Sequence, residues 1–453
     1  MPGGASFFLP MNRLRTLIAL VTVAIALVAI VLWPSYVDRS TQVARASSLP
    51  TMAPVTKDYL LRPKLIAFWE GAVREHHRDD FLSPRQLSDQ YLQRYRENGD
   101  IDDVLRSIAM ANLSLKAMPR GNIPARIELA SADLTLHKFK EALAVTKQVE
   151  VFVPADSEMR VREASLDLEL GDYDRARHII DALPPEQRFD VSRDTLLVRW
   201  HELTGHLQTA RLDMERPTAL ANSQFDSPAQ SRAWFFFRSG ELAFEAGDND
   251  GAISFEKRAI DVFPHFADAY RAEARFECAI KAWRACLASA KTSADIVPYP
   301  ETLGYVEDAQ RALGDETSAK ATAATILAIE KIGDAQHISD RLLAIYFSEH
   351  RIHTGDAYRI ARHELAIRDD IFTEDTLAWA AAMNGRWDDA RVAIRKAMRL
   401  GTENSLLLYH AGIVADHFGD RASAKADFTK ALALNPQFHA LYADDARSRL
   451  AKL

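Results

Sequence analysis

The chain has 453 residues, 48% hydrophobic and 26% charged, a balance that supports a folded body and excludes a disordered one. Its 56 Lys and Arg against 63 Asp and Glu leave it mildly acidic at −7, and no long basic run or aromatic-basic interleaving occurs, which argues against nucleic acid as a partner. Cys278 and Cys286 are too few for a disulfide framework and read as small buried residues.

Residues 1–13 read as a short cytoplasmic N-terminus and 14–33 as a transmembrane anchor. The stretch LIALVTVAIALVAIVLW, 17–33, carries no charge, and about 20 such residues cross a bilayer core as a helix. Arg13 and Arg15 precede it and no positive charge follows in PSYVD, so the positive-inside rule puts the rest of the chain outside the cytoplasm. A cleaved signal peptide is the rival reading. Its apolar core is usually about 7 to 15 residues and closely followed by small residues, whereas Trp33, Pro34 and Tyr36 follow here. The expected location is a bacterial inner membrane, crossed once, with the body in the periplasm or otherwise outside the cytoplasm.

Residues 34–56, rich in Ser, Thr and Pro, read as a flexible stalk. From 57 to 453 apolar residues recur at spacings of three and four and alternating β-branched runs are missing, which predicts an all-α body without a sheet.

That body repeats itself. In LYHAGIVADHFGDRASAKADFTKALALNP, 408–436, the residues Leu408, Gly412, Gly419, Ala424, Phe428, Ala431 and Pro436 mark out a unit. Its offsets recur at Ala378, Gly385, Ala390, Ile394 and Ala397, and again at Phe236, Gly240, Gly247, Ala252, Ala259 and Pro264. The small residue opening the second helix of each unit falls at Ala142, Ala176, Ala210, Ala252, Cys286, Ala319, Ala357, Ala390 and Ala424, mostly 33 or 34 apart. Gly followed by Asp marks turns at 99, 171, 247, 314, 355 and 419, where Gly takes the left-handed end of the first helix and Asp caps the second. The unit around Cys286 departs from this, with Lys281-Ala282 at its turn.

This spacing resembles the tetratricopeptide repeat over about residues 85–453. The resemblance implies a right-handed α-solenoid of about ten helix-turn-helix units with a concave groove lined by the first helix (A) of each. From about Ala269 the chain is also similar to membrane-anchored bacterial proteins of that family whose activity is unassigned. The resemblance places the second, fifth, ninth, twelfth and thirteenth residues of a unit in the groove, and the implied partner is a protein or peptide segment. On the unit starting at Ala233 these positions include Trp234, Phe237, Glu241 and Phe244. Tyr346 and Trp379 hold such positions farther on, and Tyr409, Asp416 and His417 hold them in the last unit. Phe236 and Phe428 fall in core slots. The lysine and asparagine set with which some family members grip a terminal carboxylate does not recur, which favours apolar or basic segments.

Apparent catalytic or metal motifs dissolve on inspection. His410 and His417 are seven apart, too far for a direct ligand pair, and read as solvated groove residues. HELTGH, 201–206, has its histidines five apart rather than four and contains a repeat turn at Gly205. REHHRDD, 74–80, reads as the end of a solvated helix. No phosphate loop or nucleophile elbow is present, so no enzyme activity and no cofactor are expected. A scaffold or adaptor for protein–protein interaction is the leading expectation. A subunit of an envelope polysaccharide or protein export apparatus is the alternative, and an enzyme with its site in the irregular units the remaining one.

Overall fold

A computed structural model describes residues 49–75, 79–153, 157–184, 190–336 and 341–453. Met52–Leu453 form one compact unit; of the other unit, Met1–Thr51, residues 49–51 are described, and the expected membrane anchor at 14–33 lies outside the described residues, as do His76 and His77. None of the helices among the described residues is long and apolar enough to cross a membrane.

No strand occurs among the described residues of 52–453. After α1 (Arg62–Arg74) come antiparallel helix pairs: α2 and α3 (Leu82–Asn98, Ile101–Ala117), α4 and α5 (Ile123–Thr135, Phe139–Glu150), α6 and α7 (Ser157–Leu170, Tyr173–Asp181). They continue with α8 and α9 (Val191–Leu203, Leu207–Ser223), α10 and α11 (Ala229–Glu245, Asn249–Val262), α12 and α13 (Ala267–Ala279, Trp283–Ile296). The last four pairs are α14 and α15 (Pro300–Ala312, Glu316–Gln336), α16 and α17 (Arg341–His350, Thr354–Ile367), α18 and α19 (Ile371–Met383, Trp387–Ala397), and α20 and α21 (Ser405–His417, Arg421–Leu434). A single helix, α22 (Tyr442–Leu450), follows.

The ten pairs are helix-turn-helix units, and the small slots explain why they form. All nine residues from Ala142 to Ala424, Cys286 among them, have no accessible surface. Gly412 shows why the facing position is also small: a β-carbon there would lie 2.6 Å from the Phe428 ring. The turns follow the sequence reading at Gly99, Gly171, Gly247, Gly314 and Gly419, all left-handed and each followed by Asp. Asp172, Asp248 and Asp420 accept hydrogen bonds from the amides of Arg175, Gly251 and Ser423, which satisfies helix-end donors.

Two turns differ. Gly355-Asp356 lies inside α17, and the left-handed residues of that unit are Arg351 and His353. At the sixth unit Lys281 itself adopts the left-handed conformation, Ala282 provides no side-chain cap, and a disulfide joins Cys278 to Cys286 across the turn. The two cysteines are buried, as expected, but bonded rather than free.

The solenoid winds back onto itself. The Asp369 amide donates to the Leu170 carbonyl at 3.2 Å, and the Ile371 amide donates to the Tyr173 hydroxyl at 2.9 Å, 198 residues away. Thr402 donates to the Leu203 carbonyl, 199 residues away, and the Asn435 side chain donates to the Phe244 carbonyl at 2.7 Å. The turn of the third unit thus meets the connection after the eighth, the fourth turn meets the connection after the ninth, and the fifth meets the connection after the tenth. A β-carbon on Gly99, in the first turn, would stand 2.6 Å from the Val297 side chain, after the sixth unit. Two superhelical turns are therefore stacked, intra-unit turns of the first on inter-unit connections of the second.

The segment before α1 is also held. Ala53 donates to the Asn222 carbonyl at 2.8 Å. The fully buried Arg232 donates to the carbonyls of Pro54 (2.8 Å) and Ala53 (2.6 Å), and Tyr59 meets Phe263 edge-on at 5.1 Å. Residues 53–59, which include the end of the stretch read as a stalk, are strapped to the edge between α9 and α12.

Candidate functional site

The A helices of a unit pack on both neighbours and turn a third face inward. On α4, α6, α8 and α10 that inward face borders a half-open cavity of about 730 Å³, a size typical of ligand-binding clefts. Its apolar wall comes from Val161, Leu168, Val198 and Met214 together with Trp234 and Phe235. The polar wall holds Arg162, Arg199, Arg238 and Arg368 against Glu158 and Glu169.

Arg199 and Arg238 share the Glu202 carboxylate at 2.8 and 3.0 Å, and Arg238 also pairs with Glu241. Burial opposes ionisation of Glu202, but the two arginines outweigh it and hold its pKa down at about 2. Glu202 is the glutamate of HELTGH. The histidines of that stretch do unrelated work: His201 pairs with Asp213 at 2.9 Å, and His206 contacts the Thr204 hydroxyl at 3.2 Å. Arg368 enters from the second superhelical turn, bonded to Glu169 at 3.1 Å and lying over the Phe139 ring.

Arg162 is differently placed. One guanidinium nitrogen reaches the Ser131 hydroxyl at 3.1 Å, while its buried Nε has no hydrogen-bond partner. Burial pulls its pKa down, with Glu158 and Glu128 acting in the opposite direction.

Of the residues singled out in the sequence, only Trp234 lines this cavity. Phe237 is buried edge-on against Phe266, and Phe244 is fully buried and stacked on Phe276 at 4.4 Å. Glu241 is tied to Arg238. The positions implied by the resemblance thus straddle two faces of α10: 234, 235 and 238 look into the cavity, and 237 and 244 look toward the next unit. Phe236 fills the core, as its slot required.

The remaining candidates lie in the second superhelical turn, and most are covered. Tyr346 is buried and donates to Glu307 at 2.5 Å. Trp379 and Tyr409 are each 3% exposed, because α22 closes over the last unit. Tyr442 stacks on Tyr409 at 4.8 Å, Asp445 accepts from the Tyr409 hydroxyl at 2.8 Å, and Arg449 pairs with Asp416 at 2.7 Å. His417 is exposed and stacks on Trp387 at 3.7 Å. His410 is not solvated: it is buried, bonded to Asp375 at 2.9 Å and stacked on Trp379 at 4.2 Å. Among the described residues no group of three or more His, Cys, Asp or Glu is placed to hold a metal ion.

Sequence reasoning missed Phe235 and the arginines. A signal existed: arginine recurs on successive A helices at Arg162, Arg199, Arg238 and Arg275, nine or six residues before the left-handed turn at 171, 205, 247 and 281.

The sequence matches no family model and no curated protein. Among solved structures, the chain is similar to PilW, a widely conserved type IV pilus biogenesis factor, with 16% identity over 46% of this chain and 94% of that one at a TM-score of 0.38. It is similar to yeast Tom70 with 11% identity over 82% and 96% of the two chains at 0.33. It is similar to a Rap protein complexed with competence and sporulation factor with 12% identity over 73% and 96% at 0.41.

Proposed function

We propose that the chain is a non-catalytic scaffold that holds a partner protein by an extended segment laid in the cavity of the first superhelical turn. The observation that carries the reading is the composition of that cavity. Trp234 and Phe235 offer rigid aromatic surface, of the kind that dominates interface energies, beside Arg162, whose buried Nε has no hydrogen-bond partner, and beside Arg199, Arg238 and Arg368, each already paired with a glutamate. Such a wall favours a segment that combines apolar side chains with a carboxylate; of the apolar or basic segments expected from sequence, it keeps the apolar character and disfavours the basic.

The N-terminal anchor and the extracytoplasmic side belong to the same proposal. They rest on the apolar stretch 17–33 with its preceding arginines, and the Cys278–Cys286 disulfide supports them, since such bonds persist mainly outside the reducing cytosol.

The test uses two fluorescent peptides with the same leucine and phenylalanine residues, one interspersed with Glu and the other with Lys. The acidic peptide should bind the full chain, quench tryptophan emission and weaken as salt rises. Trp234→Ala and Arg162→Gln should each reduce its affinity tenfold or more. Equal binding of both peptides, or affinity unchanged in both variants, would contradict the proposal.

A further inference from the structure

The two superhelical turns meet along one kind of seam, and the molecule has a free copy of each half of it. In the seam, left-handed glycines face backbone: a β-carbon on Gly171, Gly205 or Gly247 would come within 1.9, 2.3 or 2.7 Å of the carbonyl oxygen of Asp369, Gly401 or Leu434. Gly314, Gly385 and Gly419 hold the same conformation, φ +85°, +74° and +75°, with nothing within 4 Å of that position. The turns of the last units therefore present an unoccupied edge of the type that docks in the first units. Leu313 and Phe418, each directly before its glycine, are 41% and 38% exposed there.

The complementary half is formed by the connections between the first units, which no superhelical turn among the described residues covers. Val151 and Phe152, after α5, are 78% and 46% exposed, and Phe225, after α9, is 68% exposed. The strap shows that this edge accepts main chain: Ala53 and Pro54 bond to Asn222 and Arg232, beside Phe225. It leaves all three of these apolar residues uncovered.

We infer that copies of this chain associate head to tail, the turn edge of the last units in one copy docking on the connection edge of the first units in the next. The occupant follows from continuity with the seam inside each molecule, where an edge of the same backbone conformation is matched by the same kind of partner. The contact is heterologous, each copy using a different surface, so it extends to a ring or a filament rather than stopping at a symmetric pair.

The test uses the full chain in detergent, followed by sedimentation velocity over a concentration series. The wild type should form species larger than two copies. A connection-edge variant, Val151→Asp with Phe225→Asp, and a turn-edge variant, Leu313→Asp with Phe418→Asp, should each stay single. Mixed in equal amounts they should form a complex of two that grows no further, because each supplies the edge the other has lost. The corresponding Ser variants, with helicity checked by circular dichroism, repeat the experiment without added charge. A wild type that stays single at every concentration overturns the inference. So does a variant that self-associates as the wild type does, which would place the contact in the anchor or on another face, and so does a mixture that remains separate.

Discussion

The carbonyl oxygen of Asp369 lies 1.9 Å from the point where a β-carbon on Gly171 would stand, although 198 residues separate the two. Gly171 is thus required twice: its φ of +80° is left-handed, and its missing side chain admits the backbone of the second superhelical turn. Gly419 has a φ of +75° and meets only the first requirement.

Gly419→Ala should therefore cost about 1 to 2 kcal/mol, the left-handed penalty alone. Gly171→Ala should cost about 1 to 3 kcal/mol more, the overpacking of a seam that has no room. Denaturant unfolding of the two variants measures the difference, and equal costs would mean that the seam is open.

Trp379 and Tyr409 behave as core residues in this arrangement. Each is closed under α22, so Trp379→Ala should lower stability by about 3 to 5 kcal/mol, and Tyr442→Ala should expose both rings to quencher. Acrylamide quenching of tryptophan fluorescence reads the second effect as an increase over the wild type.

The disulfide across the turn of the sixth unit should matter more than a lone bridge on a surface loop, because it stands where five other units have a left-handed glycine and a capping aspartate. Cys278→Ala with Cys286→Ala should cost about 2 to 4 kcal/mol in calorimetry or chemical denaturation. Restoring the pattern with Lys281→Gly and Ala282→Asp in that background should recover part of the loss.

Glu349 gives a pH signature. Burial raises its carboxyl to about 8, His350 opposing and Asp308 and Glu301 reinforcing, so the folded chain keeps a proton that the unfolded chain releases near 4.5. A pKa raised on folding contributes stability that is present below about 4.5 and lost as pH rises through 8. His350, raised to about 9 chiefly by Asp308 against the opposing effect of burial, acts in the same sense above its ordinary value of 6.5. His439, pushed down to about 4 by burial, acts oppositely but only between about 4 and 6.5. Between pH 6.5 and 8.5, Glu349→Gln should therefore lose stability less steeply than the wild type, by up to a few kcal/mol across the window. Parallel curves would show that Glu349 is ionised throughout.

What the sequence made legible is what depends on near neighbours. The nine small slots, the core places of Phe236 and Phe428, and the Gly-Asp turns at 171, 247 and 419 are fixed by contacts within a unit or between adjacent units, so a 34-residue period reveals them. The closure was not legible. It depends on the small rotation from each unit to the next, summed over several units and altered by the insertions before Ala252 and Ala357, and no single residue type announces it. The same limit hid α22, whose Tyr442 and Arg449 cover the very residues that the repeat register offered as a groove, and hid Arg368, which reaches the cavity only because the second turn stacks on the first.

The stacking of the two superhelical turns is therefore the claim on which the cavity and its seam depend. Lys281 and Asp444 lie 163 residues apart and form a salt bridge of 2.5 Å across the turns, whereas Lys396 and Glu374 form one of 2.8 Å within a single unit. A zero-length carbodiimide joins only amines and carboxylates in contact, and mass spectrometry of the digested single-copy protein locates the amides formed. The stacked structure predicts both the Lys281–Asp444 and the Lys396–Glu374 linkages; the second without the first would mean an open solenoid whose turns do not meet.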